Sequence, residues 1–90
     1  MSKTIDEKRA KKAQKFITHA KKEFEKIIPR DKIDNVEITT CVEKDGAFEI
    51  IGSVGTTSPT GKEKTFGYSA VVNVDANEEC SLEKIKLLEA

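Results

Sequence analysis

The spacing of the apolar residues changes once along the chain, and this change constrains the fold more than any other feature of the sequence. Between residues 5 and 28, apolar side chains recur at i, i+3, i+4 and i+7, which is the period of an amphipathic α-helix. From residue 36 onward, apolar and polar residues alternate, which is the period of a half-buried β-strand. The first region predicts one long N-terminal helix over residues 5–28, and the second predicts a sheet.

Turn residues divide the alternating region into four predicted strands. An Asp-Gly pair at 45–46 and a Pro-Thr-Gly run at 59–61 have the chemistry of tight turns. The strands are predicted at residues 35–43, 47–57, 64–75 and 82–88. The last segment is ambiguous, because Leu82, Ile85 and Leu88 also fit one side of a helix. We favour a strand, since a fourth strand covers the apolar edge of a three-stranded sheet.

This order of elements predicts an α+β fold in two layers, with the helix packed across one face of a four-stranded antiparallel meander in a single domain, residues 1–90. Phe24 and Phe66 are predicted to be largely buried between the layers. The element order over residues 5–88 resembles that of the cystatin-like group of folds, in which a curved antiparallel sheet wraps an N-terminal helix. The resemblance implies the architecture alone. Cystatin protease inhibitors carry a Gln-x-Val-x-Gly hairpin, and the nearest stretch, Ile51-Gly52-Ser53-Val54-Gly55, has no Gln.

The net charge of zero conceals two oppositely charged halves. Residues 1–32 hold eleven Lys and Arg against five Asp and Glu, and residues 33–90 hold five against eleven, so the halves carry +6 and −6. Five lysines are predicted to lie within about 60° of one another on the helix, opposite its apolar stripe. They form the lysine ridge, which comprises Lys8, Lys11, Lys15, Lys22 and Lys26. A charged helix face is most often a solvated surface, and the functional alternative is binding of an anionic partner.

The face of the sheet turned away from the helix is the second candidate surface. Strict alternation places small or apolar side chains on it, namely Thr39, Cys41, Ile51, Ser69 and Val71. An uncovered patch of this kind predicts self-association or contact with a protein partner. Nucleic acid is not an expected partner, because the lysine ridge carries no interleaved Arg or aromatic side chain and the sheet is acidic.

No enzyme activity, metal or cofactor is expected from the reactive residues. His19 is the only histidine, and the sequence indicates no third group or cleft that would complete a nucleophilic site with Cys41 or Cys80. Two cysteines and one histidine at irregular spacing make a poor zinc site. The stretch Gly55–Glu63 differs from a phosphate-binding loop, because five residues rather than four separate its glycines and Glu63 replaces the Ser or Thr that binds magnesium.

The chain is expected in the cytoplasm. No stretch approaches the roughly 18 apolar residues of a membrane span, and the N-terminus has no apolar signal-peptide core. In a simple meander the strands that carry Cys41 and Cys80 lie about 14 Å apart, from three spacings of about 4.8 Å, so reduced thiols are expected. A secreted chain whose signal has been removed is the alternative.

Together these features predict a small non-enzymatic interaction module that self-associates through the uncovered face of the sheet. Two alternative functions stay open. One is a module that binds an anionic partner through the lysine ridge, and the other is a small-ligand-binding domain of the cystatin/NTF2-like type.

Overall fold

The computed structural model describes the backbone of residues 3–88 and the side chains of residues 7–88. Its elements, in chain order, are α1 (Lys3–Thr18), α2 (Lys21–Ile27), β1 (Lys32–Lys44), β2 (Ala47–Thr57), β3 (Glu63–Val74) and β4 (Cys80–Leu88). The four strands form one antiparallel sheet in the order β1-β2-β3-β4, and both helices pack against it. The predicted α+β arrangement of a helical layer on a four-stranded antiparallel sheet is confirmed. The ambiguous last segment is a strand.

The helical layer is not continuous, so the prediction of one long helix over residues 5–28 is wrong. A turn at His19 and Ala20 separates α1 from α2. The amide of Ala20 donates to the carbonyl three residues before it at 3.0 Å, which tightens the end of α1. The Thr18 hydroxyl donates to the carbonyl oxygen of Lys15 at 2.9 Å, a contact that bends helices. The break turns α2 onto the sheet as a separate short helix.

The core lies between the two helices and the inner face of the sheet. Its buried side chains are Ala13, Ile17, Phe24, Ile28, Ile33, Phe48, Ile50, Val54, Tyr68, Ala70, Val72 and Val74. The ring of Phe24 meets Tyr68 edge to face, with the centroids 4.9 Å apart and the planes at 75°. The Tyr68 hydroxyl donates to the Glu37 carbonyl at 2.9 Å, so its polar end has a partner inside the protein.

The two predicted core phenylalanines differ in burial. Phe24 is fully buried, as predicted, and Phe66 is partly buried and packs against the edge of the core. Among the described residues, β4 pairs with β3 from Gly67 to Val74, and Phe66 is the residue before the first of these pairs.

Three β-bulges interrupt the register of the sheet. Asp34 and Thr39 in β1 are left out of the pairing with β2, and Glu83 in β4 is left out of the pairing with β3. The pairing of β2 with β3 is regular throughout. Because a bulge adds one residue to its strand, the side chains beyond it exchange faces relative to strict alternation.

Gly52 makes room for the bulge at Thr39. It is buried in the middle of β2, opposite Ile38 on one side and Tyr68 on the other. A Cβ atom on Gly52 would overlap the carbonyl oxygen of Glu37 and lie 2.9 Å from the Cα of Ile38. The bulged backbone therefore occupies the space that a side chain at position 52 would need.

Candidate functional site

The open face, which is the face of the sheet turned away from α1 and α2, is the candidate site. Residues paired across neighbouring antiparallel strands point to the same side, so the register defines its membership. Three consecutive cross-strand rows form its middle: Glu37, Ser53, Gly67 and Leu88; Thr40, Ile51, Ser69 and Lys86; and Val42, Glu49, Val71 and Lys84. In these rows the two central strands contribute three small residues, Ser53, Gly67 and Ser69.

The exposed large apolar side chains of residues 7–88 all lie on the open face. Val42 is 50% exposed, and Ile51 and Leu88 are each 37% exposed. Val71, half-buried on β3, is on the same face. Single exposed apolar residues scattered over a surface need no explanation, but the presence of all three on one face makes that face the candidate contact surface.

The charges of the open face are separated by sign. In the three middle rows the acids lie on the β1 and β2 side, at Glu37 and Glu49, and the bases lie on β4, at Lys84 and Lys86. The side chains between them are uncharged. The middle of the face thus has an acidic side and a basic side separated by an uncharged centre, while Lys44, one row further along β1, is basic.

The bulge at Thr39 changes which residues of β1 lie on the open face. Thr39 is the unpaired residue itself, whereas Ile51, Ser69 and Val71 lie on the open face. Cys41 pairs with Ile50 and packs against the core on the helix side, so its predicted place on the open face is wrong. Val42 occupies the open face instead, a position that strict alternation assigned to the core.

The lysine ridge is divided by the helix break. Its members are all exposed, with Lys8, Lys11 and Lys15 on α1 and Lys22 and Lys26 on α2. Lys8 and Lys12 bind the carboxylate of Glu78 at 3.8 and 3.0 Å, and Lys26 lies 3.5 Å from Glu23. The hydrogen bond and charge of Lys12, followed by the charge of Lys8, lower the pKa of Glu78. The ridge is therefore two lysine groups rather than one line of charge.

The helix break opens a groove of about 880 Å³ beside the start of β4. Half-buried Phe16, Ala20 and Cys80 line it together with exposed basic side chains. The basic residues of the lining are Lys12, Lys15, Lys21, Lys22 and His19. Its one acidic residue, Glu23, is paired with Lys26. Sequence reasoning did not predict this groove, because it treated the two helices as one.

Neither cysteine thiol has the lowered pKa of a reactive nucleophile. His19 and Cys80 line the same groove, but burial raises the pKa of Cys80, and the charge of Lys12 only partly opposes this. Burial also raises the pKa of Cys41, against the effect of a hydrogen bond with Gln14. An activated thiol needs a lowered pKa, so neither environment favours the reactive thiolate.

Within the described part of the chain, no cluster of three or more His, Cys, Asp or Glu could hold a metal ion, and no helix is both long and apolar enough to cross a membrane. Comparisons of the chain with protein-family models, with curated proteins and with solved structures gave no match. The cystatin-like resemblance therefore stays a prediction. Because a fold alone does not fix a function, the function has to be argued from the surfaces of the molecule.

Proposed function

We propose that this protein is a small non-enzymatic interaction module that self-associates through the open face of its sheet. The gathering of Val42, Ile51 and Leu88 on that face carries the proposal. The helices already cover the inner face of the sheet. Contact with a second copy would remove the exposed apolar side chains from water, which is the main driving force of protein association.

The size of the open face suits a dimer. Four strands at about 4.8 Å spacing and about ten residues at about 3.3 Å rise give roughly 630 Å² per copy, or about 1,260 Å² for two. That area is at the lower end of the roughly 1,200–2,000 Å² buried in stable protein interfaces. A second copy presents a face of the same size, and two sheets pack at a separation of about 10 Å.

Sedimentation velocity over a range of concentrations tests the proposal. We expect the wild-type species to shift from the 10.0 kDa of one chain to twice that mass as concentration rises. Ile51→Glu places a charge in the centre of the face and should keep the protein monomeric. Lys11→Glu is the control, because it changes the net charge on the exposed surface of α1 and should leave dimerisation intact. A wild-type chain that stays monomeric at about millimolar concentration would contradict the proposal.

The groove at the helix break supports a second candidate function, the binding of an anionic amphiphile. Phe16, Ala20 and Cys80 offer apolar contact, and the surrounding lysines offer positive charge. A volume of about 880 Å³ falls within the usual range of small-ligand sites. A ligand with a phosphate or carboxylate head and a short alkyl body matches this lining. Such a ligand is both anionic and small, so the groove combines features of the two alternative functions predicted from the sequence.

Titration calorimetry with octyl phosphate, below its micelle concentration, tests this second function. The wild type should bind, and the affinity should fall as salt is added. The double variant Lys15→Gln/Lys22→Gln should lose binding, because both lysines line the groove. The matched control Lys8→Gln/Lys11→Gln removes the same charge from the ridge outside the groove and should bind normally. Absence of binding by the wild type, or equal loss in both variants, would count against the groove.

A further inference from the structure

We infer that two copies pack with their open faces together around a two-fold axis parallel to the strands, so that Glu49 of each copy lies beside Lys84 of the other. The inference rests on the proposed self-association and adds its geometry. Its basis is the separation of charge on the open face.

A two-fold axis lying between two facing sheets can run along the strands or across them. With the axis along the strands, β1 of one copy lies over β4 of the other, and each cross-strand row meets its own symmetry mate. With the axis across the strands, β1 lies over β1 and β4 over β4. Both are closed arrangements in which the same face of each copy is used. The side chains on the face decide between them.

The charges favour the axis along the strands. In that arrangement the acidic side of each copy, with Glu37 and Glu49, lies over the basic side of the other, with Lys84 and Lys86. With the axis across the strands, acidic side meets acidic side and basic side meets basic side. Like charges brought together at an interface are costly, and this cost selects one arrangement against the other.

The distances fit a contact between Glu49 and Lys84. Within their shared row, Glu49 of one copy lies one strand away from Lys84 of the other, which is about 4.8 Å sideways and about 10 Å between the sheets. The backbones are then about 11 Å apart, a gap that one Glu and one Lys side chain together span.

The remaining side chains agree with this arrangement. In the middle row, Ile51 of each copy lies over Ser69 of the other, so a large side chain meets a small one. At the end of the contact, Lys44 lies over the part of β4 that carries Glu83, which again places opposite charges together. Within one copy, Lys44 also lies 3.9 Å from Glu49, in an exposed pair of the kind that contributes little.

Charge reversal on each side of the face, followed by mixing, tests the arrangement. Glu49→Lys and Lys84→Glu each create two like-charge contacts in a homodimer and should raise its dissociation constant at least about tenfold. In a heterodimer of the two variants, both contacts join opposite charges again. Native mass spectrometry of the mixture should therefore show mainly the 1:1 heterodimer, with an affinity approaching that of the wild type.

The control pair is Glu25→Lys with Lys11→Glu, two exposed helix positions whose reversal should leave the homodimers intact and give only a statistical mixture. If Glu49→Lys and Lys84→Glu still form wild-type-like homodimers while Ile51→Glu is monomeric, self-association stands and the axis along the strands is wrong. Weakened homodimers that mixing does not restore would also overturn the axis. A monomeric wild type would overturn the proposed function itself.

Discussion

Tyr68 couples the aromatic core to the backbone of the bulged strand. Its ring packs on Phe24, and its hydroxyl donates to the Glu37 carbonyl two residues before the bulge at Thr39. Burial raises the pKa of Tyr68 from its ordinary value of 10.0 to about 12. One side chain therefore links the packing of α2, the path of β1 and the response of the fold to alkaline pH.

The raised pKa of Tyr68 predicts a loss of stability at alkaline pH. Above about pH 10 the unfolded chain releases the tyrosine proton while the folded chain keeps it, so the stabilisation is complete below pH 10 and is lost as the pH rises towards 12. Tyr68→Phe should be less stable by about 1–2 kcal/mol at pH 7, because the Glu37 carbonyl loses its partner. It should also lack the tyrosine part of the alkaline loss.

Urea unfolding of both proteins between pH 8 and pH 11.5 measures this difference. Because Tyr68 is the only tyrosine, absorbance near 295 nm reports its ionisation directly. The same slope of stability against pH in the wild type and in Tyr68→Phe would show that the hydroxyl does not titrate with folding.

The bulge at Thr39 and the break between the helices are two features that periodicity did not predict. Alternation predicted a strand over most of β1. The extra residue at Thr39, however, depends on space provided by Gly52 in the next strand. At the break, the Thr18 hydroxyl donates to the Lys15 carbonyl and the Ala20 amide donates to the Ile17 carbonyl, and a count of apolar residues registers neither bond. The four strands and their order followed from alternation and turn residues, because those are local signals.

The bulge at Thr39 also decides how much of the open face could be predicted from the sequence. Ile51, Ser69 and Val71 lie on β2 and β3, whose mutual pairing is regular, so alternation placed them on the open face. Cys41 and Val42 follow the bulge, so alternation exchanged their sides. An error of one residue in register was enough to predict the Cys41 thiol on the surface and the exposed Val42 in the core.

Gly52→Ala should therefore cost far more than an ordinary glycine replacement in a strand. The new methyl group meets the Glu37 carbonyl, and relieving that overlap requires the bulge to move, at a cost of about 2–4 kcal/mol. Gly67→Ala is the matched control one strand away, because a Cβ there would lie 3.5 Å from the Cβ of Leu88, an ordinary van der Waals contact. Thermal unfolding should show a large fall for Gly52→Ala and a small change for Gly67→Ala. Equal falls would mean that the bulge is not held by Gly52.

Over the whole molecule, the two oppositely charged halves of the sequence correspond to different layers. Most of the positive half is the helical layer, and most of the negative half is the sheet with its turns. Among the described side chains, the ion pairs that join these layers run from Lys8 and Lys12 to Glu78. Attraction between the layers is thus concentrated at one turn rather than spread along the lysine ridge.

The triple variant Lys11→Gln/Lys15→Gln/Lys22→Gln should accordingly change the free energy of unfolding by no more than about 1 kcal/mol. All three side chains are exposed, none is among the ion pairs of the described residues, and Gln nearly matches the helix propensity of Lys. Urea denaturation at low and at high salt provides the measurement. A loss of several kcal/mol would mean that these lysines hold the helices to the sheet.

All three bulges lie on β1 and β4, the two strands with an unpaired edge, while the β2–β3 pair has none. An unpaired edge is a template on which further strands can add, and repeated addition produces fibres. Each bulge displaces the backbone donors and acceptors that such growth requires. In the proposed dimer the open face is covered on both copies, so assembly through that face would stop at two. The irregular edges of β1 and β4 then oppose polymerisation by strand addition, which is the other way in which a protein with one exposed sheet could polymerise.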